Sequence, residues 1–403
     1  MFFIAGYNPE GARFYYKLFR RDLAHFLKLW PVKTALSRLQ RDEDGVSARW
    51  QIKAEAPNWR VETSVEYLGW DDIVSRDMQR PMTVLVPRVL HCLVENLLNG
   101  TTFRVFRGSW KFGLFYLCAT MVLLLSFAGA ILIGLATYLL TRHAVGVGGV
   151  LSIGVSIVVG GICCALAHSF CERNYLTRLC NSSLWHRDWA RGRRADFLAR
   201  VDEFAHRIIA KARAGDVDEV LVVGQSSGGA VAIAMFERAL DLDSKFACAG
   251  SPVVLASLGS SLPLVALNPH ARDVRRAIRR VAVEPSLTWI ECEAREDVLS
   301  FEDFDMVGDV GVDAGPQQCN PLCWNLRFRD AVSPQHYRAR RWDFVGMHHQ
   351  YIMANDQVAP YDYYLMVCGP LRARDWVTDA PATVTRFARD ASYVPRVSDT
   401  SAR

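Results

Sequence analysis

The sequence has no C-x-x-C pair and no regular cysteine spacing among its eleven cysteines. That argues against a disulfide framework or a zinc site built on paired thiols. Cys118, Cys163 and Cys164 lie inside apolar runs, and nothing requires Cys319 and Cys323 to pair. The expectation is buried, reduced thiols in a cytosolic compartment. The chain also lacks a Walker motif, a dinucleotide fingerprint and a metal-ligand cluster, so no cofactor and no metal are expected. A net charge of +5 is mild for 403 residues. No zinc-finger, RNA-recognition or helix-turn-helix signal accompanies it, which sets nucleic acid aside as a partner. Residues 1–6, MFFIAG, are too short and too uncharged at the start to read as a signal peptide.

Charge is missing from two long stretches. No charged residue occurs from Phe112 to Thr141 or from Ala144 to Ala167. Each run exceeds the roughly 20 apolar residues a membrane helix needs. Only Arg142 and His143 separate them, so they read as a helical hairpin whose ends emerge on one side. Arg104, Arg107 and Lys111 precede the first run, and Arg173, Arg178, Arg187, Arg191, Arg193 and Arg194 follow the second. The positive-inside rule then places both flanks in the cytoplasm, at the inner membrane if the source is bacterial. Small residues at four-residue spacing, Ala130/Gly134 and Gly161/Ala165, would let the helices approach closely. No acid or base lies within either run, so a transport pathway has no support. The Arg-rich connector, 187–194, reads either as a contact for anionic lipid or as a flank that only sets topology.

The rest of the chain alternates between two periods. Residues 1–6 read as a strand, and Tyr7 to Gly11 as a turn. Tyr15, Leu18, Phe19, Leu23, Phe26, Leu27 and Trp30 then fall at helical spacing, with Pro31 as the stop. Trp50, Ile52 and Ala54 alternate with polar residues, as do Trp59, Val61, Thr63, Val65 and Tyr67, with Pro57-Asn58 between them: two adjacent half-buried strands. Residues 71–100 look mostly helical, as does Arg194 to Arg213. Val220–Val223, Val253–Leu258 and Leu287–Cys292 read as strands, and Ala271–Arg280 as a basic helix or turn. Strands alternating with helices predict an α/β fold: a mainly parallel sheet flanked by helices, interrupted by the two-helix transmembrane hairpin. The predicted organisation is 1–105 as the N-terminal part of the α/β domain, 106–170 as the hairpin (spans about 112–140 and 144–167), 171–378 as the main part, and 379–403 as a mobile tail.

The chemical signal is Gly224-Gln225-Ser226-Ser227-Gly228. It follows the buried-type run Val220–Val223 and precedes the helix-forming stretch Ala230–Leu240. Strand, tight turn, helix is the context in which G-x-S-x-G becomes a nucleophile elbow, because a serine on a strained turn tolerates only small neighbours. Such a serine needs a base, and the base needs an acid. Asp297 follows the strand Leu287–Cys292, at the sheet edge where open parallel sheets build their sites. Glu293, Glu296, Asp303 and Asp305 are its rivals. Of ten histidines, the adjacent pair His348 and His349 sits in an apolar context downstream of the nucleophile, and His348 is preferred with His349 as alternate.

The order Ser226, Asp297, His348 resembles that of the α/β-hydrolase superfamily, as does MFFIAGYNPEG, which is similar to the strand and oxyanion loop that opens minimal lipase and esterase domains. The resemblance covers about 1–70 and 195–370 in patches. It implies an oxyanion hole formed by the backbone N–H of Tyr7 or Asn8 and that of Ser227. The chain departs from the family in lacking an HGGG run, in lacking the usual leading strands, and in carrying a membrane hairpin before the nucleophile strand. What the resemblance implies is a membrane-anchored serine hydrolase acting on carboxylic, lipid or acyl esters, its domain and both termini cytoplasmic. The bilayer and a small-molecule or lipid ester are its implied partners; the oligomeric state stays open. A catalytically silent hydrolase fold serving as a membrane scaffold is the alternative from another class, and a thioesterase or amidase on the same triad is a further one.

Overall fold

A computed structural model describes residues 1–43, 45–248, 250–378 and 382–395. Its centre is one sheet flanked by helices. In chain order the elements are β1 (Phe2–Ile4), α1 (Gly11–Leu29), β2 (Lys33–Leu36), β3 (Gln40–Arg41), β4 (Ala48–Ala56) and β5 (Trp59–Tyr67). Helices α2 (Asp71–Met78), α3 (Met82–Leu98), α4 (Thr101–Gly108), α5 (Trp110–Leu139), α6 (Gly149–Arg173), α7 (Leu176–Ala190) and α8 (Ala195–Ala214) follow. The sheet resumes with β6 (Val220–Gln225), α9 (Ser227–Leu242), β7 (Val253–Leu258), α10 (Leu262–Ala266), α11 (Arg272–Ala282), β8 (Leu287–Ala294) and β9 (Leu322–Leu326).

The strand order is β2-β4-β5-β1-β6-β7-β8-β9, with β3 paired to β4. Pairing is parallel from β5 through β1 to β9 and antiparallel where β4 meets β2, β3 and β5. The mixed edge follows from connection length: the two-residue turn Pro57-Asn58 can join only antiparallel neighbours, whereas parallel ones need a crossover.

Period-2 alternation sorts the strands' side chains into two cores. Phe2, Ile4, Val220 and Val222 pack beneath α7, α8, α9 and α11 with Trp185, Phe197, Phe204 and Ile278. Phe3, Leu221 and Val223 face the other way, beneath α1 and the C-terminal segments, with Tyr15, Phe26, Tyr364 and Trp376. A strand covered on both faces must be apolar throughout, which explains the unbroken run in β6.

Two helices are long and apolar enough to cross a membrane, Trp110–Ala144 and Gly149–Arg173. A smaller core of Leu85, Val89, Leu123, Phe127, Cys171 and Leu184 seats the foot of this hairpin on α3 and α7. Small residues do bring the two helices together: on α5 they are the expected Ala130 and Gly134, but on α6 they are not the expected Gly161 and Ala165. A Cβ added to Gly134 would stand 3.3 Å from the Gly160 Cα and 3.4 Å from the Ser156 carbonyl oxygen. Gly161 has nothing within 4 Å, and both Gly161 and Ala165 are exposed. Helix α6 is thus turned so that Ser156 and Gly160 face its partner.

Residues 382–395 are held against the domain, where composition predicts a mobile tail. The Trp59 indole N–H donates to the Ala391 carbonyl at 2.8 Å, and the Trp376 and Phe387 rings stack at 5.9 Å. The physical reason is that Val384, Phe387 and Ala391 are buried, three apolar anchors in an otherwise polar run. The remaining positions of that predicted tail, 379–381 and 396–403, lie outside the described residues.

Three of the connector's arginines are neutralised internally. Arg187, Arg191 and Arg194 pair with Asp188, Glu95 and Asp77 at 2.7, 2.5 and 2.6 Å.

The hairpin contact yields a discriminating test. Gly160→Leu forces side-chain volume between the two helix backbones and costs about 1–3 kcal/mol by overpacking. Gly161→Leu points outward and is tolerated. Thermal midpoints of the detergent-purified variants are expected to fall by several degrees for the first and to stay near wild type for the second.

Candidate active site

The Gly224–Gly228 pentapeptide forms the junction of β6 and α9. Ser226 has φ 56° and ψ −123°, a conformation of positive φ that costs a non-glycine residue on the order of 1–3 kcal/mol. Surrounding structure holds it there. Its N–H donates to the Leu258 carbonyl at 2.9 Å, and its carbonyl accepts from the N–H of Gly229 at 3.0 Å. The flanking glycines are required by close approach. A Cβ on Gly224 would stand 2.7 Å from the Gly229 Cα, and one on Gly228 would stand 2.0 Å from the Ile4 carbonyl oxygen. Gly6 is similarly constrained: its added Cβ would lie 2.9 Å from the Ser226 Cβ. The loop after β1 is therefore pressed directly on the serine.

Asp297 lies just past β8, and His348 ends the short helix Phe344–His348. The structure brings them together: His348 Nδ1 lies 2.7 Å from Asp297 Oδ2. With a carboxylate as partner, Nδ1 carries the proton, which leaves Nε2 as the acceptor. The other Asp297 oxygen accepts the Leu299 N–H at 2.9 Å. Both side chains are almost wholly buried, and the Tyr351 ring meets the imidazole edge-on at 6.1 Å. His349 is engaged differently. Its Nδ1 lies 2.8 Å from the Val345 carbonyl oxygen, and burial lowers its pKa.

The rival acids have other occupations. Glu296 accepts the Phe328 N–H, Asp303 accepts from the Asn325 amide, and Asp305 accepts the Val307 N–H. Glu293 is buried, and burial, with Glu291 nearby, raises its pKa to about 9, so it is a neutral acid at pH 7.

Ser226, His348 and His349 line one cavity of about 100 Å³ together with Gly6, Tyr7, Asn8 and Ser227. The three backbone positions of the expected oxyanion hole thus surround the same space as the serine. Tyr7 is anchored from behind. Its hydroxyl donates to Asp77 at 3.1 Å, and Asp77 also receives Arg194 at 2.6 Å. Asn8 donates through its amide to the Tyr15 hydroxyl at 3.3 Å. Neither Ser226 Oγ nor His348 Nε2 has a hydrogen-bond partner among the described residues, so both are free toward the cavity. Catalytic hydrogen bonds commonly tighten only when substrate binds.

One polar chain at the site carries no sequence signal. His186, on α7, has Nδ1 2.7 Å from the Ser182 carbonyl oxygen and Nε2 3.0 Å from Ser261 Oγ. Ser261 Oγ in turn lies 3.0 Å from Ser227 Oγ. Burial lowers the His186 pKa to about 4, so the ring is neutral, with Nδ1–H donating to the carbonyl and Nε2 accepting from the serine hydroxyl. The chain fixes the side chain of Ser227, the residue whose N–H opens α9. Phe112 and Tyr116 of α5 and Arg178 of α7 also line the cavity, residues that read in sequence only as membrane-span or charge-flank positions. Among the described residues, no group of His, Cys, Asp and Glu could hold a metal ion.

The sequence matches no family model, and comparison with curated proteins and with solved structures likewise yields no match.

The buried imidazole makes stability acid-sensitive in a predictable direction. Unfolding frees His186 to protonate near pH 6.5, whereas the folded ring resists protonation down to about 4. Its contribution is complete above pH 6.5 and is lost as pH falls toward 4, on the order of 3 kcal/mol across that window. His186→Gln removes this term. Between pH 7 and pH 4.5, the variant is expected to lose less unfolding free energy than wild type, measured by urea titration in detergent.

Proposed function

We propose that this chain is a membrane-anchored serine hydrolase of the α/β-hydrolase type that cleaves carboxylic esters. The single observation that carries the reading is the buried Asp297–His348 pair facing the cavity in which Ser226 sits on a positive-φ turn. Strain at one non-glycine residue and a buried carboxylate–imidazole pair each cost stability, and their meeting at one cavity argues for chemistry.

Ser226 Oγ attacks the acyl carbonyl while His348 Nε2 takes its proton, and Asp297 stabilises the resulting imidazolium and holds the ring in its tautomer. The developing oxyanion is received by the backbone N–H of Ser227 and that of Tyr7 or Asn8. Two such donors are worth several kcal/mol of barrier. Collapse expels the alcohol, which takes its proton from His348. A water molecule, deprotonated by the same imidazole, then hydrolyses the acyl-enzyme. Arginine-rich flanks on both sides of the two spans favour a cytoplasmic location for the domain and both termini.

A fluorophosphonate probe is expected to label the purified wild-type protein and to leave Ser226→Ala unlabelled. Absence of labelling in folded wild type would favour a silent scaffold; labelling that survives the substitution would move the nucleophile elsewhere.

The two histidines separate kinetically. His348→Gln and Asp297→Asn are each expected to lower kcat about 10³- to 10⁴-fold on an acyl ester. His349→Gln, which removes no proton carrier in this scheme, is expected to lower it less than about tenfold. The reverse ranking would reassign the base.

A further inference from the structure

Resting on the serine-hydrolase reading, we infer that the ester cleaved carries an anionic group, a phosphate or carboxylate, beside an apolar acyl chain, and that Arg178 recognises that anion. The cavity around Ser226 has apolar and aromatic walls from Phe112, Tyr116, Leu179, Leu299 and Val345. Among the described residues, Arg178 is the one permanently charged side chain that lines it, and no carboxylate does. Its guanidinium lies over the Tyr175 ring, 4.9 Å from the centroid, and its Nε is buried without a hydrogen-bond acceptor.

The neighbouring cations have carboxylate partners. Arg187, Arg191 and Arg194 pair with Asp188, Glu95 and Asp77, while Arg178 forms no ion pair among the described residues. Only the Nε of Arg178 is buried without an acceptor, which leaves the terminal N–H groups as the ones a ligand in the cavity can engage. The planar guanidinium fork suits the paired oxygens of phosphate or carboxylate.

The walls bear on the source of the ligand. Phe112 and Tyr116 belong to the first apolar helix, with ring centroids 4.8 Å apart, and Tyr175 sits at the break between α6 and α7. The cavity is therefore built partly from the foot of the hairpin, where an amphiphile resting in the bilayer places its charged head at the surface and its chain in the apolar layer.

The test compares matched esters that differ in charge. In the bilayer arm these are dioleoylglycerol and its 3-phosphate in phosphatidylcholine vesicles. In the soluble arm they are 4-nitrophenyl butyrate and the 4-nitrophenyl monoester of succinate. Wild type is expected to favour the anionic member in kcat/KM by about 10- to 100-fold, the range for a charge-assisted hydrogen-bonded contact. The ratio falls toward one in Arg178→Gln and is partly restored in Arg178→Lys. A preference confined to vesicles assigns a lipid source, and one seen with soluble esters assigns a free anion.

A binding arm separates this inference from the reading beneath it. In Ser226→Ala protein, the dioleoylglycerol 3-phosphate dissociation constant is expected to weaken about 10-fold or more on adding Arg178→Gln, whatever the fate of probe labelling. A wild-type ratio at or below one, a ratio unchanged in Arg178→Gln, or binding indifferent to that substitution each overturns the assignment.

Discussion

The structure depends on the insertion of β1 into the middle of the sheet. Three residues, Phe2 to Ile4, pair in parallel with β5 on one side and β6 on the other. Within the sheet, the strands of the first half join those of the second half through this strand. The two apolar helices lie between the two halves in sequence, so if they cross a membrane, sheet formation requires both halves on one face of it. An even number of spans satisfies that requirement, and the chain supplies two helices of the necessary length and apolarity. The sheet fixes where the parts of the cavity meet. The loop leaving β1 presses on the turn leaving β6: backbone occupies the space a side chain would need at Gly224 and Gly228, and the Ser226 Cβ occupies it at Gly6.

That crowding accounts for the posture of Ser226. A serine with φ 56° persists only where its neighbours leave no alternative. Here Ile4 supports the turn from below and the Leu258 carbonyl holds its N–H. Around it the molecule places polar groups that stay buried and neutral: His186 through desolvation, and Glu291 and Glu293 through burial. The buried ion pair Asp77–Arg194 does another job, fixing the Tyr7 side chain and with it the loop beside the serine.

Much of this was legible in the sequence because it follows from short-range pattern. The apolar run of β6, the alternation in β4 and β5 and the two charge-free helices each announce themselves within a window of ten to thirty residues. Strands β2, β3 and β9 did not, because each is too short for its alternation to stand out from the surrounding loops. The site divides the same way. Ser226 is marked by its glycines, and Asp297 and His348 by their order in the chain. His186 and Arg178 are not marked, because their roles arise only when α7 is laid beside α9 and the foot of the hairpin. Local pattern cannot report a contact set by tertiary packing. The choice of Gly160 over Gly161 is a rotation of one residue about a helix axis, which an unbroken apolar run leaves undetermined.

The position of β1 also orders the biogenesis of the molecule. Phe2 leaves the ribosome well before its partner Val222, which is made only after both apolar helices have been synthesised. At translation rates of about 5–20 residues per second, the first half waits roughly ten to forty seconds for that partner. During the wait the edge of β1 that pairs with β6 is open. Synthesis of both apolar helices therefore precedes closure of the sheet. An unpaired edge that stays open this long is a template for pairing with another chain until β6 covers it.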